Sequence, residues 1–410
     1  MTKENLLHII DQIIWFSLCG FIFFSPWSIA GAQSFLILGL LGWLVKMLVS
    51  GRIDFIHTPL NLPILLYLVT QAISVIFSPL KVHSLLALKE EWLLLLFFLI
   101  VNNVKEEDKM GKLVTILVAV SCLVGLYAIW QHYSGLDLYR HRMLDPRGGV
   151  FISTGLFGHH LTFGGYYMLV FLMALVIILS QKRKGILRIL DFAAPVILGL
   201  SLVFSYARSA WLGVIMGILT FGFLKGRKFA FFLSLGLIIL LLAVFAIEPT
   251  SWDRIKEISL SRDKEKAEST RIRLWQTSIN MIKNKPIWGI GLGNFGELFD
   301  RYKVEGYYDN KSHPHNDYLN MAVNSGFLGL FTYLGIWIVF LYTTIKAMVK
   351  KKKTGSNSWM QIAGLAAIVA FLFAGLLQCY YSDAEVNMLV MFILGITVVS
   401  NLKAGEELPG

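Results

Sequence analysis

Charge is what this chain has least of. Only 15% of its 410 residues are Asp, Glu, Lys or Arg, against 56% hydrophobic residues, and its mean hydropathy is +0.64. A soluble fold of this length has no core large enough for so much apolar surface, which excludes a water-soluble globular class. Cysteine is also scarce: Cys19, Cys122 and Cys379 lie far apart, each within an apolar run. That spacing excludes a disulfide framework and a cysteine metal site and leaves packing residues. No small-residue cleavage site follows the first apolar run, whose flank carries Glu4 and Asp11, so that run is expected to remain as a span.

Long apolar runs, by contrast, are abundant. Stretches able to cross a hydrocarbon core of roughly 30 Å fall near 12–30, 32–49, 60–78, 85–101, 112–132, 158–180, 187–206, 209–224, 229–248, 317–345, 360–380 and 385–401. They predict an all-α polytopic membrane protein of about twelve transmembrane helices, with both termini on one side. Two runs are irregular: the fourth, which opens with Lys89, Glu90 and Glu91, and the eighth, joined to the seventh by the tight SYARSA link. The chain divides into helices 1–9 over 1–248, one large outer loop with short helices over 249–316, and helices 10–12 with a short inner tail over 317–410. Gly213 and Gly217 form a G-x-x-x-G in the eighth span, which predicts close helix packing.

The formal charge of +11 follows topology. With the N-terminus in the cytoplasm, 19 of the 37 Lys and Arg fall in inner segments and six in short outer ones. The other 12 lie in the 249–315 loop, whose length exempts it from the positive-inside rule. The partners expected from this distribution are membrane lipids and no nucleic acid. Glu90, Glu91 and Asp191 are expected to be paired or interfacial.

That loop and its borders hold the candidate chemistry. Residues 270–284, TRIRLWQTSINMIKN, place Ile272, Trp275, Ile279 and Ile282 on one helical stripe. Ser269 or Thr270 is expected to cap this helix, which puts Arg271 and Arg273 in its first turn, where an anion would offset the macrodipole. Next, GIGLGNFG formally satisfies G-x-G-x-x-G at Gly291, Gly293 and Gly296. A dinucleotide site needs a βαβ unit, absent from this pattern, so a glycine turn is expected. Arg208, in SYARSAWLG at the end of the seventh span, and Arg271 suit bidentate phosphate binding at the outer face. Snorkelling to headgroups is the alternative role for Arg208. His315 lies where the loop re-enters the membrane, beside His313 and Asn316, and imidazole suits proton abstraction near neutral pH. The H-x-H pair lacks a neighbouring Cys or an H-E-x-x-H, so no metal and no cofactor is expected.

Taken together, S-T-R-I-R-L-W, K-P-I-W-G-I-G-L-G-N-F and H-P-H-N-D-Y-L followed by G-F-L-G-L resemble the signature of the O-antigen ligase and O-antigen polymerase superfamily. The twelve-span pattern with one large loop before the last three spans agrees along the chain. The resemblance implies a membrane-embedded, GT-C-like, inverting, metal-independent glycosyltransferase of the bacterial inner membrane, with cytoplasmic termini and a periplasmic active site. It implies His315 as the catalytic residue and Arg208 and Arg271 as the diphosphate-binding pair, with His313, Asn316 and Arg273 in support. The stretch 150–166, VFISTGLFGHHLTFGGY, also resembles the family, with His160 where Asn is expected. The implied donor is an undecaprenyl-diphosphate-linked glycan and the implied acceptor a lipid A-core sugar, as for an O-antigen ligase in lipopolysaccharide biosynthesis. Three alternatives remain: a polymerase taking a second lipid-linked glycan, a protein O-oligosaccharyltransferase, and a lipid-linked-sugar transporter.

Overall fold

A computed structural model of the chain describes residues 2–52, 55–180, 183–226, 235–236, 262–306, 308, 313–354 and 357–406. It is helical almost throughout, as apolar runs in lipid must be, because each backbone N–H and C=O needs a partner within its own segment. In order the helices are α1 (Lys3–Phe24), α2 (Ile29–Ser50), α3 (Asn61–Phe77), α4 (Lys81–Leu88), α5 (Leu95–Asn103), α6 (Glu107–Ser134), α7 (His160–Ser180), α8 (Ile186–Phe204) and α9 (Arg208–Lys225). They continue with α10 (Arg262–Asn284), α11 (Phe299–Tyr302), α12 (Asp317–Thr354), α13 (Trp359–Ala374) and α14 (Ala384–Glu406). The described strands are four two-residue pieces in the 135–151 loop, paired antiparallel as Leu136–Asp137 with Arg142–Met143 and Pro146–Arg147 with Val150–Phe151.

Eight of the described helices are long and apolar enough to cross a membrane, and α3 and α13 are shorter apolar helices. The expected ninth span, 229–248, lies outside the described residues apart from 235–236. Several elements depart from the sequence reading. The fourth run is broken: a 3-10 segment, Lys89–Leu94, separates α4 from α5. Lys89, Glu90 and Glu91 fall in that break, where the tighter turn re-aims charged side chains that a regular lipid-facing helix would leave unsolvated. The tenth span is the outer part of a longer helix, α12, which bends at Gly326 with φ 67°. Arg208 opens α9 rather than closing the helix before it. The expected span 360–380 stops at Ala374, so residues 375–383 form a polar link that the hydropathy of their apolar neighbours had concealed.

The enclosed centre of the bundle is formed by α14 and α7, whose apolar windows are 83% and 78% buried, against 28% for the peripheral α2. The G-x-x-x-G motif wedges α9 between α7 and α13. A Cβ at Gly213 would stand 2.1 Å from Met168 Sδ and 2.7 Å from the Ala370 carbonyl oxygen. One at Gly217 would stand 2.5 Å from Leu172 Cδ1 and 2.9 Å from the Ala366 carbonyl oxygen. Because each site meets backbone as well as side chain, Gly217→Val is expected to cost about 1–3 kcal/mol by overpacking. Thermal unfolding of the purified protein in detergent checks this; an unchanged midpoint would mean that α9 and α13 separate freely.

The glycine-rich loop after α10 is a packing device, consistent with the turn reading. Ile290 and Gly291 donate backbone hydrogen bonds to the carbonyls of Val323 and Asn324, at 2.8 and 3.0 Å. Asn294 donates to the hydroxyls of Ser78 and Ser84, at 2.8 and 2.9 Å, and its side-chain oxygen accepts from His83 Nδ1 at 2.8 Å. A Cβ at Gly291 would lie 2.2 Å from Ser78 Oγ, and φ there is 96°, so glycine is required twice over. The loop thereby fastens the outer end of α10 to the turn between α3 and α4 and to α12.

Candidate active site

The position of the site follows from one face of α10. The helix begins at Arg262, eight residues before the expected cap at Thr270. The segment RDKEKAES holds good helix formers and no breaker, so the helix runs through Ser269. Arg271 and Arg273 therefore sit in its interior, and the proposed first-turn dipole argument does not apply. Trp275, one turn after Arg271 and on the same face, donates its indole N–H to the Pro314 carbonyl at 3.0 Å. That bond brings α10 against the segment that carries His313 and His315.

His315 adopts φ 52°, a left-handed conformation that costs a non-glycine residue of the order of 1–3 kcal/mol and needs support from its surroundings. The support is visible. Its backbone N–H donates to His313 Nδ1 at 3.3 Å, the two rings meet edge to face with centroids 4.4 Å apart, and His315 Nδ1 is 2.6 Å from Gln378 Oε1. An amide oxygen only accepts, so Nδ1 carries the proton and Nε2 keeps its lone pair. Burial holds the His315 pKa below its ordinary value; the Gln378 bond opposes this and the charge of Arg271 adds to it. Burial pushes His313 down to about 4, assisted by His315 and His159. Both rings are thus neutral near pH 7.

The next residues explain why this point is rigid. Asn316 caps α12: its side-chain oxygen accepts from Leu319 N–H at 2.9 Å, and its amide donates to the Leu376 carbonyl at 2.9 Å. Asp317, buried, accepts the Tyr381 N–H at 3.1 Å, while its own N–H donates to the Gly375 carbonyl at 2.8 Å. The 375–383 link is thereby laced to the His315 segment. In this geometry Asn316 holds a helix terminus.

Arg271 is half-buried and close enough to shift both His315 and Tyr380. Tyr380 in turn shares a hydrogen bond with Ser209 at 2.9 Å, so the start of α9 is joined to the same corner. Arg208, the preceding residue, is exposed, and its guanidinium has no hydrogen bond or ion pair among the described residues. Behind it Tyr206 holds φ 53°, with the Arg147 guanidinium 4.8 Å over its ring. Arg273 points elsewhere: its side chain packs against Gly306, 2.5 Å from where a Cβ would stand.

The 135–160 loop closes the other side. Arg140 donates to the Phe157 and Leu156 carbonyls at 3.2 and 3.3 Å, and Arg142 to Asp137 and the Gly158 carbonyl at 3.2 and 2.9 Å. These bonds shape the turn that presents His159, whose charge is felt by both His313 and His315. Asp383 accepts from Thr162 at 3.0 Å, and burial raises its pKa to about 7.

The structure therefore gathers His315, His313 and Arg271 directly, with Asn316 as a cap, brings Arg208 to the same corner through Ser209 and Tyr380, and leaves Arg273 against Gly306. Gln378, Tyr380 and Asp383 went unnoticed because 360–380 reads as one apolar span. The signal was there in the polar run Q-C-Y-Y-S-D-A-E that follows Gly375 and Leu376–Leu377. The buried side chains Asp191 and Glu91 are paired as expected, with Arg183 at 3.4 Å and with the hydroxyls of Tyr67 and Tyr381 at 2.7 and 3.0 Å.

A family model described as O-antigen ligase matches residues 193–334. That stretch contains Arg208, Arg271, Arg273, His313, His315 and Asn316, and stops short of Gln378. No curated protein matches the chain.

Proposed function

We propose that this protein, whose residues 193–334 match a family model described as O-antigen ligase, is an O-antigen ligase that moves a glycan from undecaprenyl diphosphate to a lipid A-core sugar. The family implies a multi-pass membrane enzyme of glycosyltransferase type. Our reading adds a periplasmic site between about twelve spans in a GT-C-like arrangement, in the inner membrane, with cytoplasmic termini.

The observation that carries it is the neutral His315 imidazole, locked to Gln378 through Nδ1 and standing beside Arg271. An acceptor hydroxyl must lose a proton as its oxygen attacks the anomeric carbon. Nε2 takes that proton, the glycosidic C–O bond to the diphosphate breaks, and the pair of electrons leaves with undecaprenyl diphosphate. Arg271 and Arg208 stabilise the negative charge gathering on that leaving group, the role a divalent cation fills in other transferases. Attack opposite the leaving group inverts the anomeric configuration. His313, neutral at pH 7, holds the His315 backbone in its strained conformation.

A reconstituted assay with purified protein, undecaprenyl-diphosphate-linked glycan and lipid A-core, run in EDTA, tests the reading. Glycan joined to lipid A-core supports it. Glycan that lengthens on its own lipid carrier would replace the ligase by a polymerase, and cysteine labelling that found 262–306 on the cytoplasmic side would overturn either.

The pH profile follows from the same bond. Only unprotonated His315 accepts a proton, and its pKa lies below the ordinary imidazole value of about 6.5. The acid limb of transfer is expected to lie at lower pH than that of a free imidazole. Gln378→Glu places a carboxylate on Nδ1, favours the imidazolium, and is expected to move the acid limb to higher pH. A limb that stays in place would show that Gln378 does not position the catalytic ring.

A further inference from the structure

Behind His313 lies a cavity of about 780 Å³ whose lining is unlike the arginine-bearing side of the site. Its walls come from the 3-10 break between α4 and α5, the glycine-rich loop, the first turns of α12, and the start of α14 with the link before it. Glu90, Glu91, Asn320, Asn324, Ser382 and Asn387 supply polar groups, and Trp92, Phe295 and Tyr381 supply ring faces. No arginine lines it among the described residues.

Asn324 and Asn387 are packed into its wall, 8% and 6% exposed, and Asn387 donates its amide to the Tyr381 carbonyl at 3.0 Å. Glu91 has its carboxylate fixed by two tyrosine hydroxyls, and Glu90 lies exposed beside it. The cavity thus offers acceptors for hydroxyl donors and flat apolar surface for C–H faces, which is the complement of a polyol. An anionic diphosphate finds no arginine fork among the described lining residues and meets the exposed Glu90 carboxylate.

We propose that this cavity binds the carbohydrate end of the acceptor and delivers its hydroxyl past His313 to His315, while the diphosphate of the donor lies on the Arg208 and Arg271 side. The assignment rests on the transfer reading above and divides the site between two substrates of opposite chemistry.

The test is direct binding to the full chain in nanodiscs, measured by calorimetry with two lipid-free probes, a core oligosaccharide and the oligosaccharide repeat of the donor. Wild type is expected to bind one of them, and which one identifies the source of the acceptor. Trp92→Ala and Glu90→Ala are each expected to weaken that binding about tenfold, the loss of a ring face or of one or two hydrogen bonds, with undecaprenyl diphosphate binding unchanged. Glu90 is exposed, so its replacement does not threaten the fold. Arg208→Ala is expected to do the reverse. The assignment is overturned if wild type binds neither probe, if both variants bind as wild type does, or if they weaken undecaprenyl diphosphate instead. Probe binding that the variants weaken, without transfer of glycan to any acceptor, would uphold the cavity and defeat the ligase reading.

Discussion

His315→Ala is expected to lower glycan transfer by about 10²–10⁴-fold, the usual contribution of a positioned general base, while undecaprenyl diphosphate still binds. The separation follows from geometry. The ring is tied through Nδ1 to Gln378 and through its backbone to His313, and Asn316 and Asp317 hold the next two residues to the 375–383 link. Removing an imidazole from a segment pinned at so many other points leaves the arginine side of the site in place. A thermal midpoint near that of wild type is therefore the control. If donor binding disappears along with transfer, His315 is a substrate contact and the base lies elsewhere, with Asp383 in the 375–383 link, raised to about 7, the group to replace next.

Much of the architecture was legible because lipid imposes a single rule on backbone groups. Apolar length locates α1, α2, α6, α7, α8, α9, α12 and α14, but the 3-4-3 stripe misplaces the packed face of α10: Ile272 and Ile279 are exposed, while Leu274, Thr277, Ser278 and Met281 are buried. Where the reading strayed, the cause is local. Hydropathy does not register that Lys89, Glu90 and Glu91 are tolerated by a 3-10 break, nor that Gly326 bends a helix that is apolar on both sides of the bend. At the start of α10, Ser269 and Thr270 look like caps, yet the eight residues before them form helix just as readily.

The site was legible in its charged members and hidden in its neutral ones. Arg208, Arg271 and His315 stand out because ionisable groups beside a membrane are costly. Gln378 carries no charge and sits 63 residues from His315, so its bond to Nδ1 could not be read from spacing. The roles of neighbours shift accordingly. Asn316 beside His315 reads as support for chemistry, and in the structure its side chain caps α12; Arg273, two residues from Arg271, turns to Gly306 instead.

Arg271→Ala is expected to reduce the rate at the pH plateau by about 10²–10³-fold, as when one donor to a developing anion is lost, and to do something more. Arg271 also helps hold the His315 pKa down. Without that positive charge the imidazolium is easier to form, so the acid limb of the profile is expected to move to higher pH. The two effects separate two roles. A fall at the plateau reports lost stabilisation of the leaving diphosphate, whereas a shifted limb with an unchanged plateau would mean that Arg271 acts only on the histidine. Arg271→Lys sharpens the comparison. It keeps the charge, so the limb should stay near its wild-type position, but it lacks the planar fork that grips two phosphate oxygens, so the plateau should remain depressed. Full recovery by lysine would require only a point charge at this position and would leave bidentate recognition to Arg208, whose exposed guanidinium has no bond to any described residue.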